Sequence, residues 1–224
     1  MGEPPLFMSE ICAIFRTLFN YMCLMESIAG QIENAILSLG RGTFVFPTDF
    51  ASLGTPETVT KSLQRLRSSG VIIRVAHGIY YYPKIDKKYG LGIIPPTLEE
   101  TAYAIAKRDK ARICPTGAFA VNALGLSTQV PGNVVFITDG APRKVNIGKG
   151  KGILFKHSDE SRNFAYKSKA MQLIVSALRE LGEDSIDEDV IERIRSVVDS
   201  VNEVEFKHDI ALSPAWIRKI LLSV

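Results

Sequence analysis

The stretch TPETVTKSLQRLRSSG, from Thr55 to Gly70, places Lys61, Gln64 and Arg65 within about one helical turn of each other. Side chains of these three types pair bidentately with base edges in a DNA major groove. Thr58 and Thr60, nearer the start of the same segment, can reach phosphate or base. Arg74 and His77 follow in the short run VIIRVAHGIYYY, where phosphate or the adjacent minor groove would be within reach of a hairpin. A basic helix face is also what an ordinary solvated helix presents. The chemistry therefore depends on the elements that carry these residues.

A second set of cations is Arg143, Lys144, Lys149, Lys151 and Lys156, with Arg162, Lys167 and Lys169 beyond it, arranged around Gly148, Gly150 and Gly152. That composition suits gripping a phosphate backbone rather than reading bases. A second DNA footprint, an RNA contact, a docking surface for an acidic partner and a solvated hairpin all fit it. The run GKGKG lacks the order GxxxxGK[ST] and opens no helix, so it is no nucleotide-phosphate loop.

For catalysis, the best set is Asp139 with Glu205-x-Lys207, the acid, acid and lysine of metal-dependent nucleases. A long, mostly helical stretch separates them, and Asp139-Gly140 reads as a turn. His77, His157 and His208 are isolated from one another, and HExxH, GxSxG and paired Cys-His patterns are missing. Cys12, Cys23 and Cys114 have no CxxC spacing and fit a reduced, cytoplasmic chain. We expect no enzyme, no metal and no cofactor.

Around the first basic set the punctuation is dense. Apolar positions Ile28, Ile32, Ala35, Ile36 and Leu39 recur at helical spacing and Gly40 stops them. Thr43–Phe46 is β-prone, and Pro47 leads into a brief helix from Thr48 to Leu53. Thr55-Pro56-Glu57 then supplies an N-cap, a proline at the first helical position and an acid in the first turn. The helix it opens runs to about Ser69, with Val59, Leu63 and Leu66 inward. His77-Gly78 between two β-prone runs predicts a hairpin. Three short helices and a hairpin are the plan of a winged helix-turn-helix, over residues 26–83. Of Tyr80, Tyr81 and Tyr82, alternation sends two into the core and leaves one free.

Residues 84–96, rich in Pro, Gly and Lys, read as a linker. A C-terminal α+β domain follows over 97–224: a helix at Leu98–Lys110, a strand at 112–114, and a small-residue helix opened by Pro115. Strands at 133–138, 143–147 and 152–156 come next, then helices at Ser168–Leu181, Ile186–Val201 and from Pro214.

The chain has 224 residues, 46% of them hydrophobic and 23% charged, which fits two folded domains and excludes wholesale disorder. Its formal charge of +3 is uninformative as a total. By segment it is +5 over 41–90 and +6 over 140–177, set against −3 over 1–40 and −5 over 178–224. Residues 1–25 form an apolar extension, which Glu10, Arg16 and Asn20 keep too short for a membrane span. We expect no membrane association.

Gly40-Arg41-Gly42, Phe46, Asp49-Phe50, Leu63, Leu66, Gly70, Ile72, Arg74, Gly78, Tyr80 and Pro83 resemble the winged-helix domain of the abortive-infection AbiEi-type antitoxins, in a branch filed as a bacterial domain of unknown function. In the second half, Pro115–Ala118, Asn122, Leu124–Pro131, Thr138-Asp139-Gly140, Arg143, Ile147-Gly148 and Pro214–Ile217 are similar to that branch's C-terminal domain. The resemblance covers about Met25 to Val224. It implies a transcriptional regulator of a type IV toxin–antitoxin system that represses its own operon and counters a nucleotidyltransferase-like toxin. The partners would be double-stranded operator DNA, a second copy of the chain on that DNA, and the toxin. By position in the motif it assigns DNA contacts to Thr58, Lys61, Gln64, Arg65, Arg74 and His77, and it brings no residue roles for the C-terminal domain. The alternatives are a winged-helix protein-interaction module without a DNA role and a nucleic-acid-processing enzyme.

Overall fold

The computed structural model describes residues 27–148 and 150–223; the expected extension over 1–25 and Lys149 of the second basic set lie outside the described residues. The chain divides between Pro96 and Thr97 into two compact units, and it is mixed α+β.

In the first unit, Ser27 caps helix α1 (Ile28–Leu39) by accepting from the Gly30 amide at 3.2 Å, and Gly40 ends it at φ +81°. Strand β1 (Thr43–Val45) follows, then a single 3-10 turn at Pro47–Phe50. The sequence predicts a longer helix here, through Leu53. The Asp49 carboxylate instead accepts from the Phe46 amide at 2.8 Å and tightens the segment into one turn, too short to propagate an α-helix. Helix α2 (Pro56–Ser68) starts where Thr55 Oγ1 accepts from the Thr58 amide. Strands β2 (Ile73–Ala76) and β3 (Ile79–Tyr82) form a hairpin around Gly78 at φ +68°, a left-handed conformation in which glycine carries no Cβ penalty. The sheet order is β1-β3-β2, antiparallel throughout.

The core of this unit joins Ile32 and Ile36 of α1 to Val59, Leu63 and Leu66 of α2 and to Tyr80 and Tyr82 of the central strand. The expectation of one free tyrosine is corrected, because all three are buried. Tyr81 points away from that core, and its ring stacks at a tilt on Phe44, 4.9 Å between centroids. Tyr82 also lies under the Arg41 guanidinium at 4.7 Å.

Residues 84–96 hold a second hairpin rather than an unstructured connection. Strands β4 (Lys84–Asp86) and β5 (Gly92–Ile94) pair antiparallel, and the Asp86 carboxylate fastens the turn by accepting from the amides of Lys88 and Tyr89. Strands of three residues are too short to show alternation in the sequence.

In the second unit, Thr97 and Glu100 form a reciprocal capping box for helix α3 (Leu98–Arg108). Strand β6 (Ile113–Thr116) contains Pro115, which lies opposite Phe136 within the strand pairing rather than opening the next helix, α4 (Gly117–Ala123). Strands β7 (Asn133–Thr138), β8 (Arg143–Gly148) and β9 (Lys151–His157) complete a sheet of order β6-β7-β9-β8. Only β7 and β9 are parallel; the other two pairings are antiparallel. Helix α3 covers one face, where Phe136 and Phe155 are buried.

Helices α5 (Lys169–Leu181), α6 (Glu188–Val198), α7 (Glu203–Leu212) and α8 (Ala215–Ser223) close the chain. Their core gathers Met171, Ile174, Val175 and Leu178 of α5 with Ile194, Ile217, Leu221 and Val121. Helix α7 does not show in the sequence. Its apolar contribution is limited to Phe206 and Ile210, partly buried against the helical core, while Val204 is exposed and the one residue it buries fully is Asp209. That carboxylate accepts from the Lys167 and Ser168 amides and so holds the segment entering α5.

Candidate nucleic-acid interface

Helix α2 is built so that one side packs and the other is left to solvent. Val59, Ser62, Leu63 and Leu66 are buried, with the Ser62 hydroxyl donating to the Thr58 carbonyl at 2.9 Å. On the remaining arc Lys61, Gln64, Arg65 and Arg67 are exposed. Lys61, Gln64 and Arg65 line one shallow concavity together with Ser68 and Ser69. The two serines are not among the candidates taken from the sequence, although their place one turn beyond Gln64 and Arg65 would have pointed to them.

Local contacts distinguish the members of this set. Lys61 makes an ion pair with Glu57 at 2.7 Å, one turn earlier, and both side chains remain largely in solvent. Exposed pairs of this spacing are worth about 0.3–0.5 kcal/mol, so Lys61 can exchange Glu57 for another anion at little cost. Thr58 and Thr60 are already engaged: Thr58 Oγ1 shares a hydrogen bond with Thr55 Oγ1 at 2.9 Å, and Thr60 Oγ1 donates to the Pro56 carbonyl at 2.7 Å. Their half-buried side chains define the helix N-terminus before anything else. Arg74 and His77 lie exposed on the β2–β3 hairpin, and Arg74 Nε donates to the Ala76 carbonyl at 3.3 Å across its bulge.

The second basic set is divided by strand alternation. Lys144 on β8 and Lys156 on β9 are exposed and share a sheet face with Leu154 and Ile137. Lys151 is exposed at the hairpin end. Arg143 takes the opposite face, opposite Phe155, with its guanidinium 5.5 Å from that ring and ion-paired to Asp109. The described members of this set, adjacent in sequence, thus do not make one surface.

The acid-and-lysine trio is not assembled. Asp139 accepts from the Arg112 amide at 2.7 Å and from Arg112 Nε at 2.8 Å, closing the ends of β6 and β7 together. That hydrogen bond, with the guanidinium charge, holds its carboxyl below the usual range. Lys207 pairs with Glu203 on its own helix. Among the described residues no three His, Cys, Asp or Glu side chains are grouped to hold a metal ion, and no helix is long and apolar enough to cross a membrane. Cys114 is buried, and burial raises its thiol pKa.

Residues 31–206 match a family of unknown function, DUF6088. The chain belongs to that family. The DUF6088 match begins within α1, takes in every candidate contact residue described above and ends inside α7. No curated protein matches the chain. Among solved structures, the crystal structure of RV2827C protein from Mycobacterium tuberculosis is similar, at 14% identity over 84% of this chain and 78% of that one, with a TM-score of 0.42.

Proposed function

We propose that the protein is a cytoplasmic, double-stranded DNA-binding transcriptional regulator whose residues 27–83 form a winged helix-turn-helix. The order α1, tight turn, α2, then an antiparallel β2–β3 hairpin paired with β1 supports that architecture. The observation that carries the reading is the exposure of Lys61, Gln64 and Arg65 together on the arc of α2 that the core does not use. In this reading α2 enters the major groove and Arg74 and His77 meet the backbone beside it. The resemblance to AbiEi-type antitoxins adds repression of the protein's own operon, binding as a homodimer, and a nucleotidyltransferase-like toxin as the partner of the second unit.

The test is a gel shift with the DNA upstream of the protein's own gene. Replacing Lys61, Gln64 and Arg65 together by alanine abolishes specific binding and leaves the circular dichroism spectrum and Tm unchanged. An unaltered shift in that variant removes the recognition helix from the proposal. Log affinity falls with log salt at a slope of about −0.9 per neutralised phosphate.

A second reading, a protein-interaction module, is favoured by one feature. The β4–β5 hairpin exposes Tyr89, Leu91 and Ile93, of which Tyr89 is 73% and Leu91 72% accessible, and grouped exposed apolar side chains are what interaction surfaces present. Association with a protein partner that is insensitive to salt and lost on Tyr89→Ser with Leu91→Ser would support it.

A further inference from the structure

The basic arc of helix α2 has an acid at its head. Glu57, Lys61, Gln64, Arg65 and Ser68 are all exposed and follow one another at helical spacing, so they form one stripe along the solvent side. In the first two turns the neighbouring hydroxyls are already taken: Thr58 Oγ1 by Thr55, Thr60 Oγ1 by the Pro56 carbonyl and Ser62 Oγ by the Thr58 carbonyl. What this end of the helix turns outward is a carboxylate and an ammonium, Glu57 Oε1 and Lys61 Nζ, 2.7 Å apart and 79% and 64% accessible.

Capping does not need Glu57, since Thr55 Oγ1 serves the Thr58 amide. A first-turn acid favours the helix dipole on any side of the helix. Set on the basic stripe, it carries negative charge to the face that the DNA-binding reading lays against a polyanion. There it is tolerated where the DNA donates to it, and the donors of the major groove are the amino groups of cytosine and adenine. A C·G pair matches the side-chain pair group for group. Cytosine N4 and guanine O6 are hydrogen-bonded to each other at the groove edge, a donor and an acceptor about 2.9 Å apart. Glu57 and Lys61 are an acceptor and a donor at nearly the same separation. Lys61 also reaches guanine N7, the second acceptor of that base. An A·T pair offers an amino group too, but adenine N7, an acceptor, lies beside the carboxylate, and the thymine methyl lies beyond the ammonium.

We propose that Glu57 is a specificity-determining residue, and that Glu57 and Lys61 together read one C·G base pair in the major groove. Glu57 accepts from cytosine N4, and Lys61 donates to O6 and N7 of the paired guanine. The two side chains do not have to part to do so. This role rests on the DNA-binding reading, to which it adds the base that the first turn of α2 selects.

The test is selection of bound sequences from a randomised double-stranded DNA pool by the full-length protein and its variants, followed by gel shifts on the selected site. The parent selects a site containing one C·G pair at which Glu57→Gln changes the preference to A·T, because glutamine pairs bidentately with adenine N6 and N7. At that same position Glu57→Ala and Lys61→Ala leave no preference, and the other positions keep theirs. In gel shifts, replacing that C·G pair by T·A weakens parent binding by about fivefold or more and leaves binding to Glu57→Ala within about twofold. A merely structural Glu57 gives a different result: removing one negative charge strengthens binding to every sequence alike and leaves the selected site unchanged. The two failures are distinct. A parent that selects no sequence brings down the DNA-binding reading and the base contact with it. A parent that selects a site unaltered in Glu57→Gln and Glu57→Ala, altered at a pair other than C·G, or altered at a position other than the one Lys61→Ala relaxes, overturns the role of Glu57 and leaves the DNA-binding reading standing.

Discussion

Helix α2 and the β8–β9 hairpin are both basic in sequence, yet they use their charges in opposite ways. On α2 the packed stripe of Val59, Leu63 and Leu66 leaves Lys61, Gln64 and Arg65 on one solvent-facing arc. On β8 the period is two, so Arg143 and Lys144 face opposite sides of the sheet; Arg143 is spent on Asp109 and Phe155, and Lys144 remains outside. A cluster of charge along a chain becomes a surface only where the period of the element brings it to one side. Density in sequence is therefore a better guide on a helix than on a strand.

This contrast can be broken most directly by binding. Arg65→Ala alone is expected to weaken binding to specific DNA by about 10- to 100-fold, the effect of losing one bidentate base contact, and to relax sequence preference. Lys144→Ala with Lys156→Ala should cost only a few-fold, uniformly across sequences, with at most about two phosphates lost from the salt slope. Equal losses in fluorescence titrations would mean that the two regions do the same work.

Stability should show the reverse order. Arg143→Met keeps the apolar stem but strips Asp109 of a partner, and urea unfolding should show a loss of about 1–2 kcal/mol, the figure for a buried pair reduced for partial exposure. Lys144→Met should stay within about 0.5 kcal/mol of the parent. Two indistinguishable midpoints would show that Arg143 is as idle as its neighbour.

Asp139→Asn is expected to cost about 1 kcal/mol at neutral pH through the weakened Arg112 contact. Because the folded carboxyl is held low, the Asp139 contribution is complete above the ordinary carboxylate pKa and disappears as pH falls through the folded value. The gap between parent and variant should accordingly close in acid, and a gap independent of pH would exclude the Arg112 contact as its source. The smallest effect concerns His157 at the end of β9, whose ring bonds to the Gly140 carbonyl and then to Asp159 raise its pKa. An NMR titration should place its midpoint above the ordinary 6.5. Its contribution is then full below the ordinary histidine value and is lost as pH rises through that midpoint; a midpoint at or below 6.5 removes it.

What could be read from the sequence followed from caps and periods. Thr55 caps the helix it was expected to open, and β7 spans the expected 133–138. The exposed trio on α2 was legible for the same reason, since the apolar stripe fixes where the polar residues go. Features that depend on partners distant in sequence were not legible. The pairing of Arg143 with Asp109 requires β8 to lie beside α3, the burial of Tyr81 requires Phe44, and α7 is anchored by the buried Asp209 as well as by Phe206 and Ile210. The β4–β5 hairpin was hidden because its strands are shorter than any detectable alternation.

The order of strands in the second sheet has a kinetic consequence. Strand β9 is last in the chain but interior in the sheet, and each of its parallel pairings with β7 joins residues 19 positions apart, as Phe136 and Phe155 are. Its pairings with β8 are far more local, down to Gly148 with Lys151. Closing the shorter loop costs less entropy. The hairpin is therefore expected to form first and to add to β7 as a ready-made pair, so that the slow step in building this unit is one docking event rather than the successive growth of a sheet.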